Sequence, residues 1–182
     1  MSAAVAHAAP ERLRLHIGGR IARHGWKILN IQPGPEVDLL GSCTDLGAIS
    51  DGAAEEVYAS HVLEHLGYQD ELPRALAEIH RVLRPGGRLL VSVPDLDILC
   101  RMVVHPELRP EHRFHLMRIL YGGQIDPFDF HKVGFTFEIL CHFLGRAGFG
   151  SATRVADHGL FEDTSRLRVF GQAISLNVVA TR

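Results

Sequence analysis

The segment His61-Val62-Leu63-Glu64-His65 places two imidazoles and a carboxylate within five residues. Side chains in this H-x-x-E-H spacing can grip zinc and activate a bound water. That chemistry needs both histidines on one face of a stable helix and a third ligand further along the chain. Here the motif follows a strand-like run and soon meets Gly67, a residue that breaks helices. The expectation is a strand-to-helix corner braced by Glu64 and His65, and no metal. An imidazole at that corner can still do acid–base work, because histidine titrates near neutral pH. His61 and His131 are the candidates for drawing the proton from an attacking hydroxyl. His131 precedes Lys132 and Gly134 at the entrance of a late helix. Most of the 12 histidines must be ordinary, and His16, alternating with apolar neighbours, reads as a strand residue.

A second chemical feature is Gly18-Gly19, which stops the alternating run Leu13, Leu15, Ile17. Two residues without Cβ atoms let a ligand approach backbone N–H donors. The pair lacks the fuller G-x-G-x-x-G spacing. A dinucleotide would also want an acid at the end of the next strand, where Gln32 stands, so dinucleotide chemistry ranks low. Cys43, Cys100 and Cys141 are odd in number and contain no C-x-x-C pair. Neither a disulfide framework nor a thiolate zinc site is expected, and a cytoplasmic setting fits. A net charge of −2 with scattered basic residues excludes an electrostatic case for nucleic acid or an anionic membrane. Residues 1–10 lack the basic and apolar regions of a signal peptide and read as a flexible tail. No run approaches a membrane span. The remaining length, 11–182, suits one domain with a proper core.

The elements that must position these residues follow from periodicity. Lys27–Ile31 is a short strand closed by Gln-Pro-Gly-Pro, Val37–Leu40 a further one, and Glu56–Ser60 a fourth. Leu72, Leu76, Ile79 and Leu83 fall on one face of a helix over Asp70–Leu83. Arg84-Pro85-Gly86-Gly87 ends it in a type II turn, and Arg88–Val93 is a buried strand. Thr136 caps a helix bearing Phe137, Leu140, Leu144 and Ala147, which Gly148 ends. Ser151–Val155 is another strand, and Ile174, Leu176, Val178 and Ala180 alternate in the last. Strands alternating with helices predict a parallel-rich α/β sheet. One connection strains that reading: only seven residues separate Gly19 from Lys27, where parallel crossovers need about a dozen.

In this order the motifs resemble class I S-adenosylmethionine (SAM) dependent methyltransferases, near the type 11 group. More narrowly, the chain is similar to a compact subgroup associated with polysaccharide biosynthesis. The likeness rests on His24-Gly25-Trp26, Tyr58 through His65, Val93-Pro94-Asp95-Leu96, Gly122-Gly123-Gln124, Phe130 through Phe135 and Ile174 through Val178. It covers nearly the whole chain. It implies a Rossmann-like sheet, mostly parallel with the last strand antiparallel, flanked by helices and with a shortened first crossover. It implies SAM as cofactor, released as S-adenosylhomocysteine, and no metal. Carried over residue by residue, Gly18, Gly19 and Arg20 lie beside the methionine part of SAM. Ile31 and Gln32 belong to the cofactor site, Gln32 at the ribose, and Thr44, Asp45 and Leu46 lie beside the adenine. Ser60 and His61 meet the cofactor's amino-acid end or the substrate.

Three positions depart from the family pattern. Arg20 replaces the third loop glycine, and either pairs with the cofactor's carboxylate or blocks it. Gln32 replaces the acid that grips the ribose hydroxyls. Ser42 replaces an acid before the adenine loop. The resemblance implies methyl transfer to a small molecule or glycan precursor, at oxygen. The three departures support a rival expectation, a methyltransferase-like binding or regulatory subunit without catalysis. The long segment 95–130, holding Arg101, Arg109, Arg113 and Arg118 with His105, His112 and His115, is expected to be a substrate lid or a homodimer contact. Phe114, Leu116, Met117, Leu120 and Tyr121 are expected to pack it on the core.

Overall fold

The computed structural model describes residues 12–182, so the tail expected over 1–10 lies outside the described residues. Its strands are β1 (Leu13–Ile17), β2 (Lys27–Asn30), β3 (Leu39–Leu40), β4 (Ala54–Ser60), β5 (Leu83–Pro94), β6 (Ser151–Val155), β7 (Arg168–Val169), β8 (Gln172–Ala173) and β9 (Ser175–Thr181). The helices are α1 (Glu71–Val82), α2 (Leu96–Val103), α3 (Pro110–Tyr121) and α4 (Phe137–Arg146). The main sheet runs β3-β2-β1-β4-β5-β9-β6. β1 through β5 pair in parallel, and β9 is antiparallel to both β5 and β6. Strand order reverses between β1 and β4, the topological switch point where open α/β sheets bind ligands at their carboxyl ends.

The period-2 alternation of the strands sorts the side chains onto two faces. Leu15, Ile17, Val57, Ala59, Leu89, Val91 and Val178 are buried against Leu72, Ala75, Leu76 and Ile79 of α1 and Leu140 and Leu144 of α4. α4 starts as expected, with the Thr136 side chain accepting a hydrogen bond from Ile139 N–H at 3.3 Å. The predicted turn at Pro85-Gly86 sits inside β5. There Gly86 takes φ +73°, and the register jumps from Ala54↔Leu83 to Glu56↔Arg88. The chain thus bulges without leaving the sheet.

The opposite face explains the short first crossover. Between β1 and β2 the chain forms no helix, only a turn closed by Trp26 N–H to the Arg23 carbonyl at 3.0 Å. Aromatic rings cover the strands there instead. Trp26, Tyr58, Leu90 and Phe161 form a buried cluster, and the His16 ring lies 4.2 Å from Phe161 and 5.0 Å from Tyr58. Phe161 is brought in by the loop before β7, anchored by the Tyr58 hydroxyl donating to Asp163 at 2.8 Å. Arg23 donates to the Leu160 carbonyl and lies over the Phe161 ring. His16 is thus a core residue, and burial pushes its imidazole down to about 4.

The segment after β5 folds as two helices. Leu99 and Leu116 pack with Val169 and Ile174, and Leu120 lies against them. Phe114, Met117 and Tyr121, expected to pack inward, are exposed. They share the side of α3 turned away from that small cluster. Among the described residues no helix is long and apolar enough to cross a membrane.

Candidate functional site

A cavity of about 450 Å³ opens where β1, β2, β3 and β4 end. Its wall includes Gly18, Asn30, Ile31, Gln32, Ser42, Cys43, His61 and Val62, and the returning segment Asp126–Asp129 faces them. The volume falls in the usual range for small-molecule sites, roughly 300–1,000 Å³. Gly18 is required where it stands. Its φ is +74°, and a Cβ there would come within 2.5 Å of Val62 Cγ2. Its N–H donates to the Leu29 carbonyl at 2.8 Å. Buried Asn30 fixes the loop further, donating to the Gly19 carbonyl at 3.1 Å and accepting from Gln32 N–H at 2.9 Å. Nothing in the sequence pattern singled out Asn30, because its role depends on β1 and β2 lying side by side.

At the β2 end of the cavity Arg20, Gln32 and Asp126 form one chain of polar contacts. Arg20 donates to Gln32 Oε1 at 2.6 Å and to Glu36 at 3.2 Å. Gln32 Nε2 in turn donates to Asp126 Oδ2 at 3.1 Å. The guanidinium therefore reaches toward the end of the second strand. A carboxylate does line the cavity here, but it comes from Asp126, 94 residues along the chain. No local motif could have revealed it. Each carboxylate oxygen carries two lone pairs. Asp126 therefore accepts from Gln32 and Phe128 N–H and keeps lone pairs for a further donor.

Gly18, Arg20, Ile31, Gln32 and His61 thus line one cavity. Gly19, Thr44, Asp45, Leu46, Ser60 and His131 do not. Gly19 is a glycine because a Cβ would meet the His16 ring at 2.6 Å. Leu46 is in the core, with its N–H held by Glu78 at 2.8 Å. Thr44 gives its carbonyl to Arg74, and Asp45 caps Gly47 N–H. The helix α1 side chains thus draw the 44–46 loop away, and Gly41, Ser42 and Cys43 face the cavity instead. Ser60 ends β4 on the same face as Tyr58, paired with Ser92.

A second cavity of about 250 Å³ adjoins, lined by His61, His115, Arg118, Ile119, Gly122, His131 and Leu167 among others. His61 lines both. It sits just past β4 at φ +53°, a backbone state that costs a non-glycine residue about 1–3 kcal/mol and clusters at functional sites. Its Nε2 lies 3.1 Å from the Ser175 hydroxyl and its Nδ1 3.2 Å from Glu64 Oε1. Glu64 and His65 belong to a single 3₁₀ turn, Leu63–His65. The segment bearing His131 is strapped to that turn, because Lys132 and Val133 N–H donate to the Glu64 carbonyl at 2.7 and 3.3 Å. The rings of His65 and His131 are 4.7 Å apart. Burial pushes the Glu64 carboxyl upward, but contact with His61 and the charges of His61, His65 and His131 outweigh it, so it is held below the usual range. Burial lowers the His131 imidazole, Glu64 opposes, and His65 and His61 add to the lowering.

Residues 24–91 match the family model described as a methyltransferase domain. A stretch of 60 residues is 40% identical to an uncharacterized 37.1 kDa protein in transposon TN4556 of Streptomyces fradiae. It makes up 33% of this chain but only 16% of that protein. Among solved structures, a SAM-dependent methyltransferase from Archaeoglobus fulgidus superposes with a TM-score of 0.59 at 16% identity, covering 94% of this chain and 86% of that one. The 1,6-didemethyltoxoflavin-N1-methyltransferase of Burkholderia thailandensis, solved with its substrate and S-adenosylhomocysteine bound, gives 0.60 at 19% identity, covering 93% and 70%. The strand order, with its antiparallel β9, is the sheet that the resemblance implied. Residues 24–91 thus match a methyltransferase-domain model, and the fold of the whole chain is the one that SAM-dependent methyltransferases of known structure share.

Proposed function

We propose that this chain transfers the methyl group of SAM to an oxygen of a small-molecule or glycan-precursor acceptor. The observation that carries the reading is His61, which lines the strand-tip cavity and the smaller cavity at once. A group between a cofactor and an acceptor must touch both spaces. Bound SAM supplies a methyl already activated on a sulfonium, so the protein's work is alignment and exclusion of water. Gly18 leaves room at the methionine end. Exposed Ile31 offers an apolar surface, and Asp126 takes the ribose hydroxyls in place of a strand-two acid. His61 and His131 handle the acceptor hydroxyl. Arg118 and His115 in the second cavity suit an anionic acceptor, and the segment 95–130 serves as its cover. The exposed row Phe114, Met117 and Tyr121 on α3 fits a homodimer contact, which sedimentation would read. Free cysteines, one of them exposed, fit a reducing cytoplasm.

A rival reading, a non-catalytic subunit of the same fold, draws on the Arg20–Gln32–Asp126 chain, which occupies donors and acceptors at the ribose end. Calorimetric titration of the purified protein with SAM and S-adenosylhomocysteine decides between them. Micromolar binding of both is expected. Absence of binding at millimolar ligand would overturn the proposal and leave the rival.

A further inference from the structure

We propose that Glu64, His65 and His131 form a binding site for a divalent first-row transition cation, zinc or ferrous iron in kind, beside the two cavities. One donor atom from each lies within 4.8 Å of the others. Bonds of about 2.1 Å in a tetrahedral shell set ligand atoms about 3.4 Å apart. Closing on a cation thus asks for a movement of about 1.5 Å or less, shared by two histidines that are both part-exposed.

The second observation is the state of Glu64. Its side chain is 1% exposed, and among the described residues neither carboxylate oxygen accepts a hydrogen bond of good geometry. The contact of His61 Nδ1 with Oε1 at 3.2 Å is the nearest compensation. A buried carboxylate left in that state is costly unless a cation pairs with it. The rings are also oriented as ligands. His65 Nδ1 lies 3.3 Å from the Phe130 carbonyl. Donation there leaves Nε2 with a free lone pair, the arrangement that commonly fixes a metal-binding tautomer. The backbone strap from Lys132 and Val133 to Glu64 delivers His131 together with the turn, so the set does not need the helix that the H-x-x-E-H spacing usually implies.

Two imidazoles and one carboxylate form a mixed donor set suited to zinc or ferrous iron and poor for magnesium or calcium. Three protein ligands leave coordination positions open, the mark of a site that also takes water or substrate. His65 lines the first cavity and His131 the second, so the open positions lie within reach of an acceptor hydroxyl. A cation lowers the pKa of an oxygen it binds. That catalytic role rests on the methyltransferase reading; the cation site does not.

The test is titration of untagged, chelator-treated protein with Zn²⁺ or Co²⁺ alone, followed by calorimetry and by the visible absorption of bound cobalt. One saturable equivalent is expected, weakened roughly a hundredfold or more in His65→Asn, His131→Asn and Glu64→Gln, and unchanged in the exposed control His142→Asn. If Glu64→Gln fails to fold, His131→Asn, on a loop, carries the comparison. Absence of saturable binding to the folded parent at about 1 mM metal, or undiminished binding in both histidine variants, overturns the proposal. SAM binding is measured on the same samples. Metal binding without SAM binding sustains the cation site and removes the methyltransferase reading, and the converse result does the opposite.

Discussion

The proposed function makes Asp126 the carboxylate partner of the cofactor's ribose, and replacing it should weaken SAM binding without disturbing the core. Asp126 lies on the loop after α3, half-buried, with Oδ1 accepting from Phe128 N–H at 2.7 Å and Oδ2 from Gln32 at 3.1 Å. Hydrogen bonds to a charged group contribute about 1.5–3 kcal/mol each. Asp126→Asn keeps one neutral acceptor and should lose about 1.5 kcal/mol, roughly a tenfold rise in the Kd for SAM. Asp126→Ala removes both oxygens and should lose about 3 kcal/mol, roughly a hundredfold. The assay is calorimetric titration with SAM and, as a control, with methionine, which lacks the ribose. Thermal unfolding should move little, because the lost contacts sit on a surface loop. An unchanged Kd in both variants would refute the assignment. A loss matched for methionine would show that the loop, and not the ribose contact, had changed.

Three further outcomes are expected. His16 has its pKa depressed from 6.5 to about 4 by burial, so the unfolded chain binds the extra proton first; stability is full above pH 6.5 and falls as pH drops toward 4. Denaturant unfolding at pH 6.5 and 4.5 should show a drop larger by about 2–3 kcal/mol in the parent than in His16→Leu. Tyr58→Phe deletes the bond to Asp163 and should lower Tm by about 3–6 °C, for a loss of about 1.5 kcal/mol; an unchanged Tm would show that the Phe161 loop is held by packing alone. Gly18→Ala forces a Cβ onto Val62 at φ +74° and should cost about 1–3 kcal/mol of stability while weakening SAM binding; retention of parental affinity would remove Gly18 from the cofactor wall.

The alternation of β1 and β9, the apolar stripe of α1 and the Thr136 cap were legible because each is written within a dozen neighbouring residues. Strand-tip topology put Gly18, Arg20, Ile31, Gln32 and His61 at the sheet's ligand edge, and all five line the cavity there. The seven-residue first crossover conflicts with parallel pairing by spacing alone, and the shortened crossover that the resemblance implies is what the structure has; what covers the sheet there was not legible. The rings that replace a helix come from positions 16, 26, 58 and 161, and no window of sequence shows them meeting. Loop 44–46 was placed at the cavity by resemblance, while Glu78 and Arg74 on α1 hold it elsewhere. Asp126 and the meeting of His131 with Glu64 depend on a loop that returns over the strand ends. Such long-range closure leaves no local periodicity to read.

The position of β9 governs the order in which this molecule can assemble. It lies between β5 and β6, and among the described residues β6 pairs with no other strand of the main sheet. During synthesis β6 and the helix before it must wait for residues 175–181 before they gain a sheet edge. The same strand brings Ser175, which contacts His61 at 3.1 Å and the Thr164 carbonyl at 2.8 Å. Completion of the sheet and setting of the His61 ring are therefore one event. A nascent or clipped chain without β9 would hold the strand-tip glycines and the His61 turn, yet lack the hydroxyl that steadies the imidazole. Such long-separation pairing is slow to form, so the His61 ring gains its Ser175 contact late in folding.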